Sequence, residues 1–224
     1  MRLLERQAKE TARDFAVRVL QHNIVSMELE PGCMVSENEL SQALGLSRTP
    51  VREALIELSK SGIVEIYPQH GSMISKIDYD LVEEASFTRR VLETAVVREV
   101  CEVANEEDIN DLGHNLSLQN LYLERGDSEK LLAVDNDFHR HLFAIAKKRI
   151  SYQLMRSLST HFDRVRQLSL VVLKDIRIVE DHQAILDAVK EHDKDKAAEA
   201  MQRHLTRYQL DKEAIREKYA KYFV

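Results

Sequence analysis

The sequence predicts a mainly α protein in two parts: an N-terminal winged helix-turn-helix, residues 1–76, and an all-α helical bundle, residues 77–224. Three observations carry this. Six glycines and three prolines in 224 residues are too few for a turn-rich β protein. Residues 36–77 set two capped helical patterns and two short β-like runs in close succession. From about Tyr79 onward glycine and proline nearly vanish, while helical periodicity continues to the C-terminus.

The elements follow in order. Residues 8–27 read as an amphipathic helix with Phe15, Val19, Ile24 and Met27 among its apolar positions. Pro31-Gly32 breaks the chain. Ser36, with Glu39 three residues on, is a capping box for a helix through about Leu44. Gly45 ends that helix, Ser47 caps the next, and Pro50 sits in its first turn, where proline is tolerated. The second helix runs to about Lys60 and stops at Gly62. Residues 63–67 and 72–77 then read as strands around a Pro-Gln-His-Gly tip. Beyond the boundary at 76–80, helices are predicted near 79–104, 106–125, 128–147, 150–172, 175–191 and 194–220.

Composition narrows the function classes. No apolar run approaches the ~18–20 residues of a membrane span, and the N-terminus becomes charged too early for a secretory signal. Cys33 and Cys101 form no metal-binding or disulfide pattern, which fits reduced thiols in the cytoplasm. The net charge is −6, and residues 1–75 hold 8 Lys/Arg against 10 Asp/Glu. A broad basic surface is therefore excluded, and any nucleic-acid contact must be focused.

The helix that starts after Ser47 has the makings of a groove reader. Ser47, Arg48, Thr49 and Arg52 place donors at its N-terminal end, and Val51, Ala54, Leu55 and Leu58 form its apolar face. Arg48 and Arg52, four residues apart, share one side, and arginine pairs with guanine or clamps a phosphate. The competing reading is a surface helix whose arginines pair with Glu53 or Glu57. The string "PGCMVSENELSQALGLSRTPVREALIELSKSGIVEIYPQHGSMI" resembles the winged helix of the GntR family of bacterial transcription regulators. The E-x-x-L element, "SRTPVREAL", L-x-x-x-G and the wing-tip glycine carry the likeness over residues 8–76. The resemblance implies operator contacts from Arg48 and Arg52, helped by Ser47 and Thr49, with His70 and Gly71 in the minor groove. Asn38 stands where some relatives have arginine.

A second constellation lies downstream. On the helix around 131–146, Val134, Phe138, Leu142 and Ile145 share a face with Leu131; Asp135 and His139 fall inside that apolar arc. A simple Asp–His hydrogen bond would satisfy both. His182 sits within the stripe of Ile178, Ile185 and Val189, and His204 among Ala197, Met201 and Tyr208. A hairpin break near His192-Asp193 would bring His182 and His204 level. Asp135, His139, His182 and His204 then make an N3O site for a divalent transition metal, zinc first, with nickel, manganese or iron also compatible. "D-x-x-F-H-x-x-L" from Asp135 to Leu142, with His182 and His204 following, resembles the FCD effector domain of the FadR-type GntR subfamily over residues 80–220. Many members of that subfamily hold a metal on one Asp and three His.

Arg89 lies on an inner helix face beside Val96 and Val100, where a guanidinium wants an anion. It either forms a buried pair with a carboxylate of the core or meets a ligand. "RRVLE" resembles the subfamily's R-x-x-L-E element, whose first arginine often meets the effector. His161, on the apolar side with Leu154, Leu158 and Val165, is a core histidine or a second cavity-lining group. The expected protein is a cytoplasmic homodimer that binds operator DNA under control of a small organic acid, with no membrane association and no enzymatic activity. A metal sensor, a regulator with a purely structural metal, and a metalloenzyme built on the Asp/His3 site are the alternatives.

Overall fold

The computed structural model describes residues 1–173 and 177–224. The chain divides into two units, Met1–Tyr79 with Tyr219–Val224, and Asp80–Lys218.

In the first unit, α1 (Ala12–Val25), α2 (Glu37–Leu44) and α3 (Arg48–Lys60) stand with a small antiparallel sheet of β1 (Met34–Val35), β2 (Val64–Tyr67) and β3 (Gly71–Ile74), ordered β1-β3-β2. Phe15, Val19, Leu20, Ile24, Leu40, Val51, Leu55, Leu58, Ile63 and Ile74 form its core. The Ser36 capping box is complete: the Glu39 amide donates to Ser36 Oγ at 3.1 Å and the Ser36 amide to Glu39 Oε2 at 3.3 Å. Gly45 ends α2 in the left-handed conformation, φ 65°. Ser47 occupies the N-cap of α3 but makes no side-chain capping bond. The first helix is shorter than the periodicity predicts. Thr11 caps it, and Met27, at φ 64°, lies beyond its end. β1 was not anticipated, because two residues show no alternation.

The last residues return to this unit, although sequence patterning assigns them to the bundle. Ile77 donates to the Tyr222 carbonyl at 2.8 Å, Val224 donates to the Ile77 carbonyl at 3.2 Å, and Tyr79 stacks on Phe223 at 5.0 Å. Ile77 is thereby fully buried.

The second unit is a bundle of α4 (Tyr79–Val103), α5 (Glu106–Glu124), α6 (Ser128–Ile145), α7 (Arg149–Leu158), α8 (Thr160–Leu173), α9 (Arg177–Lys190), α10 (Lys194–Thr206) and α11 (Tyr208–Lys218). Its core gathers Val97, Val100, Leu112, Phe138, Leu142, Met155, Ile185, Val189 and Met201. Among the described residues no helix is long and apolar enough to cross a membrane. The helix predicted over 150–172 is broken at Ser159, whose hydroxyl donates to the Met155 carbonyl at 2.8 Å. The break turns the segments apart, so Leu154 and Leu158 are exposed instead of lying beside a buried His161. The predicted helix over 194–220 is likewise divided at Arg207. The predicted start of a helix at 175–176 lies outside the described residues.

Gly71 opens β3 at φ 101°, and a Cβ there would meet the Val35 carbonyl oxygen at 2.9 Å. Gly71→Ala is expected to cost the wing about 1–2 kcal/mol from the left-handed backbone alone. Hydrogen exchange at the Ser72–Ile74 amides should accelerate accordingly.

Candidate functional site: an arginine-lined groove and a buried Asp/His cluster

Ser47, Arg48, Thr49 and Arg52 are exposed at the N-terminal end of α3, and His70 is exposed at the wing tip. Arg48, Arg52, Asn38, Tyr67, Gln69 and Gly71 line one groove between α3 and the hairpin. The two arginines do pair with an acid, but not with Glu53 or Glu57. Glu37, at the start of α2, receives Arg52 Nε at 2.7 Å and Nη2 at 2.9 Å, and Arg48 Nη2 at 3.3 Å. Glu57 instead takes Arg13 and Lys60. Arg52, by direct hydrogen bonding, holds the Glu37 carboxyl below the usual range. The pair leaves both guanidiniums more than half exposed and faces them toward the groove side of the unit.

In the bundle, α6 supplies Asp135 and His139, α9 His182, and α10 His204, all buried. The hairpin turn lies at His192, φ 55°, with Asp193 capping α10, and it brings His182 and His204 together. His139 Nε2 and His182 Nε2 each lie 3.2 Å from His204 Nε2. Asp135 Oδ2 is 3.5 Å from His139 Nε2, and Oδ1 is 3.8 Å from His182 Nε2. The simple Asp–His hydrogen bond is therefore not formed. One ligand atom from each of the four residues lies within 4.8 Å of the others.

The outer partners fix which nitrogen faces the centre. Asn115 Nδ2 donates to the Val134 carbonyl at 3.0 Å, and Gln119 Nε2 donates to Asn115 Oδ1 at 2.7 Å. A carbonyl can only accept, so the direction of the chain is set, and Gln119 Oε1 must receive His182 Nδ1–H at 2.7 Å. His182 Nε2 then carries a lone pair. Glu93 Oε2 lies against His139 Nδ1, which turns the His139 Nε2 lone pair the same way. Asp181 Oδ2 stands 3.9 Å behind His204 Nδ1. Arg166 Nη2 bonds to Asp135 Oδ2. Burial alone would raise the Asp135 carboxyl, but Arg166 first, and then the histidines, hold it well below the carboxylate range. Lone pairs converging on an ionised carboxylate repel unless a cation lies between them. Nitrogen spacings of 3.2 Å match two ligands on one ion with bonds of ~2.0–2.1 Å. The residues fit a divalent metal.

Beside the cluster is a cavity lined by Arg89, Asp135, Phe162, Arg166, His204 and Arg207 together with apolar groups. Arg89 forms the buried carboxylate pair that is one of its two sequence readings. Its Nε pairs with Glu93 at 2.6 Å, while Nη1, buried, has no partner. Its guanidinium lies 4.9 Å from the Phe162 ring centroid, and that of Arg166 lies 5.9 Å from the same centroid. His161 is buried on α8 but is not among the residues that line the cavity.

Sequence reasoning missed Glu93, Gln119, Asp181, Arg166 and Arg207. Asn115 and Gln119 lie among Leu112 and Leu116 on the buried side of α5, the same signal that exposed Asp135 and His139. Arg166 was hidden by the break at Ser159.

A winged helix followed by a helical bundle with a buried Asp/His3 cluster is the architecture of a DNA-binding regulator. Residues 12–74 match the bacterial regulatory protein gntR family, and residues 84–207 match the FCD domain. The chain is 32% identical over 207 residues to the HTH-type transcriptional repressor RspR of Escherichia coli strain K12, covering 92% of this chain and 91% of that one. It is 33% identical over 198 residues to an uncharacterised HTH-type regulator of Streptomyces ambofaciens, covering 88% and 83%. The solved structure of E. coli McbR/YncC shares the fold at a TM-score of 0.81 and 20% identity, covering 94% and 99%. The chain belongs to the GntR family and is a DNA-binding transcription regulator with an FCD domain, not an enzyme.

Burial, more than any neighbouring charge, pushes His182 down to about 3 and His204 well below its ordinary value. Below about pH 6.5 the unfolded chain therefore binds these protons while the folded bundle does not, so stability falls as pH drops toward 3. Between pH 7.5 and 5.5 the chelator-treated protein should lose about 1 kcal/mol through His182 alone. Thermal melts should show that slope, and His182→Gln should reduce it.

Proposed function

We propose that this regulator is a metal-dependent homodimer whose operator affinity is set by a small carboxylate bound in the bundle. The observation that carries the reading is the convergence of the His139 and His182 lone pairs on Asp135 and His204, beside a cavity holding the unpartnered Arg89 Nη1. Asp135, His139, His182 and His204 hold the metal; zinc suits the N3O set best, and nickel, manganese and iron are compatible. The ion supplies a Lewis-acidic anchor for a carboxylate. Arg89 receives the same acid through a charge-assisted hydrogen bond.

In the DNA-binding unit, Arg48 and Arg52 read the operator from the major groove, Ser47 and Thr49 contact the backbone, and His70 and Gly71 follow the minor groove. Dimerisation supplies the affinity that a DNA-binding unit with more acids than bases lacks. Two exposed apolar stripes support self-association: Ile150, Leu154 and Leu158 along α7, and Phe87 and Val91 on α4. A two-fold dimer matches a near-palindromic operator, and a cytoplasmic location fits the task. Effector and operator must then alter each other's affinity reciprocally.

Operator binding by the zinc-loaded protein, followed by fluorescence anisotropy with and without small organic acids, tests the control. Operator affinity that follows metal occupancy with no acid present would instead identify a metal sensor. Arg52→Ala should weaken specific operator binding by about 1–3 kcal/mol if the residue reads a base; unchanged binding would remove it from the contact set. Gln119→Leu breaks the chain that orients His182 and should lower zinc affinity about 10–100-fold, measured by competition with a chromophoric chelator.

A further inference from the structure

We infer that the acid bound beside the Asp/His cluster carries an apolar tail, which passes Leu131 and Leu170 into a second, uncharged cavity. The inference rests on the effector reading above and deepens it.

Size sets the first constraint. The cavity that holds Arg89 and Asp135 has a volume of about 40 Å³. At ~10–15 Å³ for each water-sized group, it takes about three of them. A carboxylate and the carbon that bears it fill that space, so any longer acid must lead its chain out of it. Polarity sets the second constraint. Arg89, Asp135 and His204 occupy the polar part of the wall, where the carboxylate belongs. A hydrocarbon chain is left with the apolar part, to which Leu131 and Leu170 contribute.

These two leucines mark the way out. Arg166 on α8 bonds to Asp135 on α6. Leu131 stands one helical turn before Asp135, and Leu170 one turn after Arg166, each about 5–6 Å along its helix from the charged pair. Both leucines also line a neighbouring cavity of about 300 Å³, together with Tyr122, Leu123, Gly126 and Val171. The two cavities therefore share a wall. Among the described residues, no charged side chain lines the second one, and Ser128 Oγ at its edge already accepts from Gln167 Nε2 at 3.2 Å. Such a wall rewards burial of carbon and offers a second polar group little. Leucine side chains turn between staggered rotamers, so the shared wall can open with α6 and α8 in place.

Isothermal titration of the full-length, zinc-loaded protein with acetate, butyrate, hexanoate and octanoate tests this. Affinity is expected to rise about two- to fourfold for each methylene beyond butyrate. Val171→Asp, at an exposed position on the wall of the second cavity, should weaken octanoate about tenfold or more while leaving acetate within about twofold of the unaltered protein. Val171→Leu should keep the gain with length. Affinity that does not grow with chain length, or growth that survives Val171→Asp, overturns the apolar tail and leaves the effector reading intact. If no acid binds while zinc is retained, the effector reading falls and this inference with it. Should Val171→Asp fail to fold, Val171→Ser and the series on the unaltered chain decide.

Discussion

Lone pairs of two imidazoles, turned inward on an ionised carboxylate, are the constraint around which the bundle is arranged. His139 and His182 do not choose this orientation for themselves; Glu93 and the Val134–Asn115–Gln119 chain impose it from behind. That requires α4 and α5 to stand at fixed depth behind α6 and α9, and the hairpin at His192 to set α10 in register with α9. Arg166 then keeps Asp135 ionised where burial would neutralise it. The polar centre and the surrounding core of Phe138, Leu142, Ile185 and Met201 are parts of one packing solution, with Phe138 stacked 4.4 Å from the His182 ring.

The DNA-binding unit solves a different electrostatic problem. With more acids than bases, it cannot rely on a diffuse positive field, so the few cations at the groove must be well placed. Glu37 contributes to that placement by receiving both edge nitrogens of Arg52 in a planar fork. The same carboxylate is a like charge to a phosphate. The cost of displacing or retaining it falls on every DNA sequence alike.

Much of this was legible in the sequence, and the parts that were not have identifiable causes. The Ser36 box, the Gly45 stop and the β-hairpin are local signals and appear where they were read. Asp135, His139, His182 and His204 were legible because polar residues inside apolar stripes need partners, and helical phase alone brings them to inner faces. Ser159 gave no such signal. Serine is tolerated within helices, and its break depends on tertiary packing that redirects α8, buries Asp163 and Arg164, and brings Arg166 to Asp135. Arg207 was obscured in the same way by the division of the last long helix. The partner of Arg52 lies on another helix, at a sequence distance that periodicity does not address.

The return of the last residues to the first unit bears on how the chain acquires its shape during synthesis. A ribosome delivers residues in order, at ~5–20 per second. Ile77 emerges early, yet the Tyr222 and Val224 backbone groups that pair with it, and the Phe223 ring that stacks on Tyr79, follow about 145 residues later. For roughly ten to thirty seconds of elongation the winged helix has its helices and hairpin but lacks the cover over Ile77. A chain cut short by premature termination or a C-terminal protease would carry that exposed isoleucine permanently, a ready mark for the machinery that removes unfinished proteins.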